Sequence, residues 1–170
     1  MARCLVTTIF ANSPDDPALA PLVRAGHVVE IADPLAIRTE ADLATALQGV
    51  AATIASVEPY TAAVLAQADA LRVISRTGVG YDAVDVPEAT RRGVVVCTTP
   101  GANHHAVADL ALGLILTCAR GIVAGERWLR DGRWVPDYPS VELRGLTVGV
   151  VGTGLIGSQV VKRLWASSRG

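Results

Sequence analysis

Cysteine is scarce in this chain, and its placement excludes two kinds of site. The 170 residues contain three cysteines, Cys4, Cys97 and Cys118, which are far apart in the sequence. An odd, widely spaced set matches neither a disulfide framework nor the ligand spacing of a zinc site. We therefore expect no structural metal, and we expect a protein of the reducing cytoplasm.

Basic clusters and long hydrophobic runs are also lacking. The formal net charge is −1 and no block of lysine or arginine occurs, which argues against nucleic acid or an anionic membrane as a partner. The most apolar stretch, AVADLALGLILTCA (106–119), contains an aspartate and is shorter than the ~20 residues that span a bilayer. The N-terminal CLVTTIF is too short for a signal core.

What the chain does have is a regular alternation of short β-branched runs and alanine- and leucine-rich stretches. Apolar runs without polar alternation are typical of strands covered on both faces, and strand–helix alternation predicts a doubly wound parallel α/β sheet. The predicted strands are 4–10, 27–32, 52–57, 72–77, 94–99 and 147–152. The predicted helices lie near 17–24, 40–48, 60–68, 86–92, 103–119, 121–131 and 155–165.

The strand pattern divides the chain near residue 100. The first five predicted strands make a complete small unit, 1–100. The segment 101–170 holds a long helix, a polar stretch, and one strand with its helix. Because one strand has no sheet to join, this second part is predicted to be the start of a domain and not a whole one.

A glycine motif lies within VGVVGTGLIGSQVV (148–161), at Gly152, Gly154 and Gly157. It follows an apolar run and precedes a helical pattern, which is the context that a dinucleotide-binding turn requires. The first glycine permits the tight turn, the second lets a pyrophosphate approach, and the third allows close helix packing. The alternative is a glycine-rich turn without a ligand. An acidic ribose ligand is expected ~20 residues further on, near or past Gly170, so the choice of NAD or NADP stays open.

A second candidate site is RTGVGYD (76–82), at the end of a predicted strand. Two glycines that flank Val79 can turn successive N–H groups toward an anion as a nest, and ligands bind at the carboxyl ends of parallel strands. Arg76 is placed to assist an anion. The alternatives are an ordinary turn and a surface arginine.

A third candidate, TTPGANHHAVAD (98–109), places Asn103 where a helix N-cap belongs. Capping by this side chain is the local interpretation. His104 and His105 are adjacent and do not share a helix face, which is poor metal geometry, and we expect no catalytic role for them.

The helix at 106–119 is apolar almost all round, a pattern of helices that are buried on every side. This predicts that a second domain or a second subunit covers it. Trp128 and Trp134 in the charged arm that follows are typical of an interface. The alternative is ordinary packing within its own domain.

Taken together, these segments resemble the D-isomer-specific 2-hydroxyacid dehydrogenases, the phosphoglycerate dehydrogenase-like family. The resemblance lies in RVISRTGVGYDAVDVPEATRRGVVVCTTPGANHHAVADLALGLIL, in the RDGRW arm and in ELRGLTVGVVGTGLIG. It implies a flavodoxin-like substrate domain followed by the start of a Rossmann NAD-binding domain. It also implies a homodimer through helix 106–119 and the arm.

The resemblance implies a role for particular residues. Val79 and Gly80, with Arg76, are expected to hold the carboxylate of a small 2-hydroxy or 2-oxo acid, and Asn103 to face substrate and nicotinamide. The expected cofactor is NAD, with NADP not excluded. Its contacts are expected to be Val107, Gly152, Gly154, Leu155, Ile156 and Gly157.

The family's catalytic arginine, glutamate and histidine belong to a later half of the protein, so no catalytic residue is expected within 1–170. We therefore expect this chain to be an N-terminal fragment of an NAD(P)-dependent oxidoreductase that is inactive by itself. Two alternatives are a non-catalytic dimerisation or carboxylate-binding module and a truncated gene product. Clear turnover of a 2-oxo acid with NADH would contradict the fragment hypothesis.

Overall fold

Five parallel strands form the sheet in the computed structural model, which describes residues 1–33 and 36–167. They are β1 (Arg3–Val6), β2 (Val28–Ile31), β3 (Ala52–Ala55), β4 (Val73–Arg76) and β5 (Val95–Cys97). Their order is β2-β1-β3-β4-β5, the order of flavodoxin-like sheets. The predicted doubly wound parallel sheet is confirmed.

Each predicted helix is present, with ends that differ by a few residues. The helices are α1 (Ala20–Arg24), α2 (Glu40–Ala46), α3 (Ala62–Leu65), α4 (Val86–Arg91), α5 (His104–Ala119), α6 (Ile122–Arg130) and α7 (Leu155–Ser167). Side-chain caps fix several starts. Thr39 and Asp42 form a capping box at α2, and Thr61 and Asp85 accept hydrogen bonds from backbone N–H groups at the starts of α3 and α4.

The main core lies on one face of the sheet, under α2, α3 and α4. Its buried members include Leu5, Leu43, Leu47, Val64, Leu65, Leu71, Ile74 and Ala89. A smaller cluster on the other face joins Val6, Ala11 and Leu19 under α1. The expectation that the strands are covered on both faces is therefore met only in part, since Val95 on β5 exposes more than half of its surface.

The chain divides into two compact units, Met1–Ala102 and Asn103–Gly170, here called unit 1 and unit 2. Unit 1 contains the sheet with α1 to α4, and unit 2 contains α5, α6 and α7. Among the described residues no single helix is long and apolar enough to cross a membrane. The bent pair α5 and α6, with 62° between them, meets the length and composition criteria only when taken together.

The prediction of a strand at 147–152 is wrong, because this segment is irregular in the structure. Its apolar run is typical of a strand, but a strand also needs a neighbour with which to form ladder hydrogen bonds. In the described part of unit 2 no other strand is present beside it. Local sequence alone does not create the extended ladder.

Candidate functional site

The loops that follow β1, β3 and β4 meet at the carboxyl edge of the sheet in unit 1. The Thr7 N–H donates to the Ile54 carbonyl at 3.0 Å, and the Thr77 N–H donates to the Ala55 carbonyl at 2.9 Å. Thr77 Oγ1 also lies 3.2 Å from Thr8 Oγ1. The strand order reverses between β1 and β3, and open α/β sheets bind their ligands outside the strand ends at such a point.

Tyr60 fastens the β3 loop to the loop before α4. Its N–H donates to the Ala83 carbonyl at 2.7 Å, and its own carbonyl accepts from the Asp85 N–H at 2.9 Å. Its hydroxyl lies 3.1 Å from Thr53 Oγ1 inside the core. Burial raises the pKa of Tyr60 far above its usual range, so the hydroxyl stays neutral at physiological pH. Tyr60 therefore has a structural role, because its hydrogen bonds join these two loops.

Arg76 is the last residue of β4 and therefore lies at this edge. The residue is only 9% exposed, and within the described chain its buried Nε has no hydrogen-bond partner. Buried polar atoms are nearly always paired, by protein, water or a ligand. The unpartnered Nε makes Arg76 a candidate ligand for an anion or an ordered water at this edge. The alternative of a surface arginine is excluded by its burial.

The glycines after β4 adopt a different conformation from the predicted nest. Neither Gly78 nor Gly80 has a positive φ, so the right-handed–left-handed pairing that forms a nest is absent from this part of the described chain. The segment is a bend instead. The N–H groups of Gly78, Val79 and Gly80 donate to no other described residue, and Val79 and Gly80 are exposed. Donors for an anion are thus available without the nest.

Asn103 is the N-cap residue of α5 by position, but its side chain makes no capping hydrogen bond. The expected capping role is therefore wrong: its φ of −120° and ψ of 4° differ from the extended conformation typical of side-chain caps. Asn103 is exposed, and Val107 is half-buried on the first turn of α5. Both belong to unit 2, whereas Arg76, Val79 and Gly80 belong to unit 1.

His104 and His105 contact each other and form no metal site. Their ring centroids lie 4.2 Å apart with the planes tilted by 39°. Among the described residues no group of three or more histidine, cysteine or acidic side chains is placed to hold a metal ion. The three cysteines are unpaired: Cys4 is buried, and Cys97 and Cys118 are exposed.

The glycine motif forms a tight turn into α7, as its spacing predicts. Gly152 has φ of 87°, which L side chains rarely adopt. A Cβ at Gly157 would overlap the Gly152 carbonyl, so this position accepts no side chain without a shift of the backbone. A Cβ at Gly154 would meet open space.

The beginning of α7 leaves room and donors for an anion. Ser158 N–H donates to the Gly154 carbonyl at 3.0 Å as the first turn closes, and the earlier N–H groups of a helix have no partner within it. Leu155 and Ile156 are exposed there. These residues fit the pyrophosphate of a dinucleotide. The position expected for an acidic ribose ligand lies outside the described residues.

An ion pair joins α5 to α7 inside unit 2. Arg163 Nε donates to Asp109 Oδ1 at 2.5 Å, and Arg163 Nη2 donates to the His105 carbonyl at 3.2 Å. The hydrogen bond from Arg163 holds the pKa of Asp109 below its usual range.

Within this chain α5 is largely exposed, and Ala108 is its one fully buried residue among those described. Cover by a second domain or a second subunit therefore stays a prediction. Leu110 and Leu114 expose more than half of their surfaces. Ordinary packing within unit 2 therefore does not explain its apolar faces. A groove of about 650 Å³ also runs beside α5 and α7. Its apolar lining includes Leu112, Leu116, Leu146, Val148, Val161 and Leu164.

The sequence model of a family described as D-isomer specific 2-hydroxyacid dehydrogenase, catalytic domain, matches residues 7–168. The chain belongs to the D-isomer-specific 2-hydroxyacid dehydrogenase family. A D-3-phosphoglycerate dehydrogenase of Methanocaldococcus jannaschii is 45% identical over 101 residues, which are 59% of this chain and 19% of that protein.

Solved structures of other proteins share the fold. The TT0316 protein of Thermus thermophilus aligns with a TM-score of 0.78 and 36% identity, over 96% of this chain and 53% of that one. An NADPH-dependent glyoxylate/hydroxypyruvate reductase of Sinorhizobium meliloti, in complex with NADP and malonate, aligns with a TM-score of 0.70 and 31% identity. That alignment covers 98% of this chain and 50% of the reductase. The chain thus spans about half the length of these two proteins.

Proposed function

We propose that this chain supplies the substrate side and the first cofactor turn of an NAD(P)-dependent dehydrogenase acting on the CH–OH group of a D-2-hydroxy acid. Family membership supports the reaction class. One structural observation supports the substrate site. The free N–H groups of Gly78, Val79 and Gly80 begin two residues after Arg76, whose buried Nε is unpartnered.

In this proposal the acid's carboxylate binds the guanidinium of Arg76 and the N–H groups of Val79 and Gly80. Charge-assisted hydrogen bonds of this kind are short and directional, so they fix the orientation of carbon 2 as well as adding affinity. Asn103, an exposed residue whose side chain makes no capping bond, is proposed as a further polar contact of the substrate. Unit 1 is accordingly the proposed substrate-binding unit.

The cofactor is proposed to be NAD, with NADP as the alternative, held by the turn at Gly152 and Gly154 and the start of α7. Gly157 keeps the helix close to that turn, and the backbone at Leu155 and Ile156 contacts the pyrophosphate. Val107 is proposed to contact the nicotinamide. When bound, the nicotinamide gives or accepts the hydride at carbon 2. The reductase of Sinorhizobium meliloti, whose structure is in complex with NADP, supports a nicotinamide cofactor.

No catalytic role is proposed for His104 or His105, which pack against each other. The proposal therefore includes that residues 1–170 bind an acid without turning it over. We propose the cytoplasm as the location of the protein, in keeping with its three unpaired cysteines.

The proposal is tested by titrating the purified chain with glyoxylate and, separately, by following NADH absorbance with glyoxylate present. We expect saturable glyoxylate binding that Arg76→Gln weakens at least tenfold, and no oxidation of NADH. Arg24→Gln, on an exposed helix end of the same unit, is the matched control and should bind as the parent does. Equal binding by Arg76→Gln, or steady NADH oxidation, would contradict the proposal.

We also propose that α5 and α6 pair with a second copy of the chain. The observation that favours this is a run of apolar side chains that expose more than half of their surfaces, namely Leu110, Leu114, Ile122, Val123, Leu129 and Trp134. Light scattering on the purified chain should give the mass of a dimer, and Leu114→Glu should give a monomer. A monomeric parent chain at high concentration would refute this pairing.

A further inference from the structure

Four exposed apolar side chains, Ile9, Phe10, Val57 and Tyr81, lie on the loops around the proposed carboxylate site. We call them the carboxyl-edge rim. Each exposes more than half of its surface. Single exposed apolar residues are common on any protein, but these four come from the three loops that meet at one edge of the sheet.

Hydrogen bonds hold these three loops side by side. The Phe10 N–H donates to Thr8 Oγ1 at 3.4 Å, and Thr8 Oγ1 lies 3.2 Å from Thr77 Oγ1 on the β4 loop. On the other side, the Val84 N–H donates to the Tyr81 carbonyl at 2.9 Å, and the Tyr60 N–H ties the β3 loop to Ala83 at 2.7 Å. The rim is therefore anchored to the strand end that presents Arg76.

The charge of the same loops is of one sign. No lysine, arginine or histidine occurs in segments 7–19, 56–61 and 77–85. The same segments contain five acidic residues. These are Asp15, Asp16, Glu58, Asp82 and Asp85. The carboxylate of Glu58 accepts from the Ser56 N–H at 2.9 Å, which holds it at the end of β3. A Cβ at Gly80 would lie 3.6 Å from Asp82 Oδ2, so a second carboxylate stands beside the proposed donors.

Among the described residues of these three loops and the strand ends before them, Arg76 is thus the one cation, and it is already assigned to one carboxylate. A second anionic group on the ligand that faced these loops would meet carboxylates, and like charges at close range repel. An apolar substituent would instead remove rim side chains from water.

We propose that the carboxyl-edge rim selects acids with a single negative charge and an apolar side chain, and rejects acids that also carry a phosphate. This inference rests on the proposed function, because it takes the carboxylate site at Arg76, Val79 and Gly80 as given. It narrows the substrate class to branched aliphatic or aromatic 2-oxo and 2-hydroxy acids.

The test is an NMR titration of the ¹⁵N-labelled chain with three acids: glyoxylate, 4-methyl-2-oxopentanoate and 3-phosphoglycerate. All three should shift the amides of Gly78, Val79 and Gly80 if they bind. We expect 4-methyl-2-oxopentanoate to bind about tenfold more tightly than glyoxylate, since each buried methylene adds a few-fold, and to shift the rim amides as well. We expect 3-phosphoglycerate to bind more weakly than glyoxylate.

Variants separate the contribution of the rim from that of the carboxylate site. Phe10→Ala and Val57→Ala should each weaken the binding of 4-methyl-2-oxopentanoate about three- to tenfold and leave the binding of glyoxylate unchanged. Val23→Ala, an exposed valine on α1 outside the rim, is the control for a general loss of apolar surface. Glu58→Gln should improve 3-phosphoglycerate binding several-fold.

The two proposals fail in different ways. If none of the three acids shifts Gly78, Val79 or Gly80, the proposed function fails and the rim has no ligand to select. If glyoxylate binds there but the larger apolar acid binds no better, or 3-phosphoglycerate binds more tightly, the carboxylate site stands and the rim proposal is overturned.

Discussion

Unit 1 and unit 2 contain similar local sequence patterns, yet they differ in how far their apolar residues are buried. In unit 1, five strands pair in one sheet, and leucines such as Leu43, Leu47 and Leu65 are almost fully buried. In unit 2, the described apolar residues that are fully buried are Ala108 and Val160. Its leucines line a groove or face solvent.

This difference shows that a strand–turn–helix sequence pattern is enough to form the turn and the helix, whereas the strand also needs a neighbouring strand. The Gly152 turn and α7 form as predicted, because their hydrogen bonds and glycine conformations are local. Segment 147–152 stays irregular because its ladder hydrogen bonds need a neighbour. Each prediction below tests this contrast, from the largest expected effect to the smallest.

Truncating one leucine in each unit should give unequal losses of stability. Leu43→Ala on α2 opens a cavity in a closed core and should lower the free energy of unfolding by roughly 2–5 kcal/mol. Leu112→Ala on α5 removes a half-buried groove side chain and should cost about 1 kcal/mol or less. Urea unfolding followed through amide resonances of each unit measures both. Equal losses would mean that unit 2 is as tightly packed as unit 1.

Two glycines of the turn before α7 should respond in opposite ways. Gly157→Ala forces a Cβ onto the Gly152 carbonyl and should destabilise the turn by about 1–3 kcal/mol, seen as faster hydrogen exchange of the first α7 amides. Gly154→Ala is the matched control, because its Cβ enters open space, and its exchange should change little. If both variants exchange alike, the close contact at Gly157 does not shape the turn.

The ion pair between α5 and α7 should contribute a small, pH-dependent part of the stability of unit 2. Because the folded pKa of Asp109 is lowered by Arg163, its contribution is present above the unfolded pKa of about 4 and is lost as pH falls through the folded value. Carbon-detected NMR should show Asp109 titrating below the usual aspartate range. In Arg163→Gln that pKa should return toward its ordinary value, and no change would exclude the pair.

Much of the fold was predictable because it depends on local patterns. Apolar runs gave the five sheet strands, and polar caps such as Thr39 and Asp85 mark helix starts. The hydrogen bonds that hold the loops of the candidate site together were not predictable in this way. Thr8 and Thr77 are 69 residues apart, so the tertiary fold alone brings their hydroxyl groups together.

The candidate site was predictable in position and less so in conformation. The end of β4 identified Arg76, Val79 and Gly80, but glycine spacing alone suggested a nest that the φ angles do not show. A pair of glycines permits positive φ without requiring it. The burial of Arg76 is likewise not visible in its own segment of sequence.

The central claim is that Arg76 binds the carboxylate of a 2-oxo acid at the end of β4, and the Nε–H resonance of Arg76 reports on it most directly. It should be followed in the ¹⁵N-labelled chain as glyoxylate is added. The account predicts a large, saturable downfield shift of Nε–H together with the amides of Val79 and Gly80. An Nε–H resonance that does not move while glyoxylate binds, or no binding at all, would contradict the account.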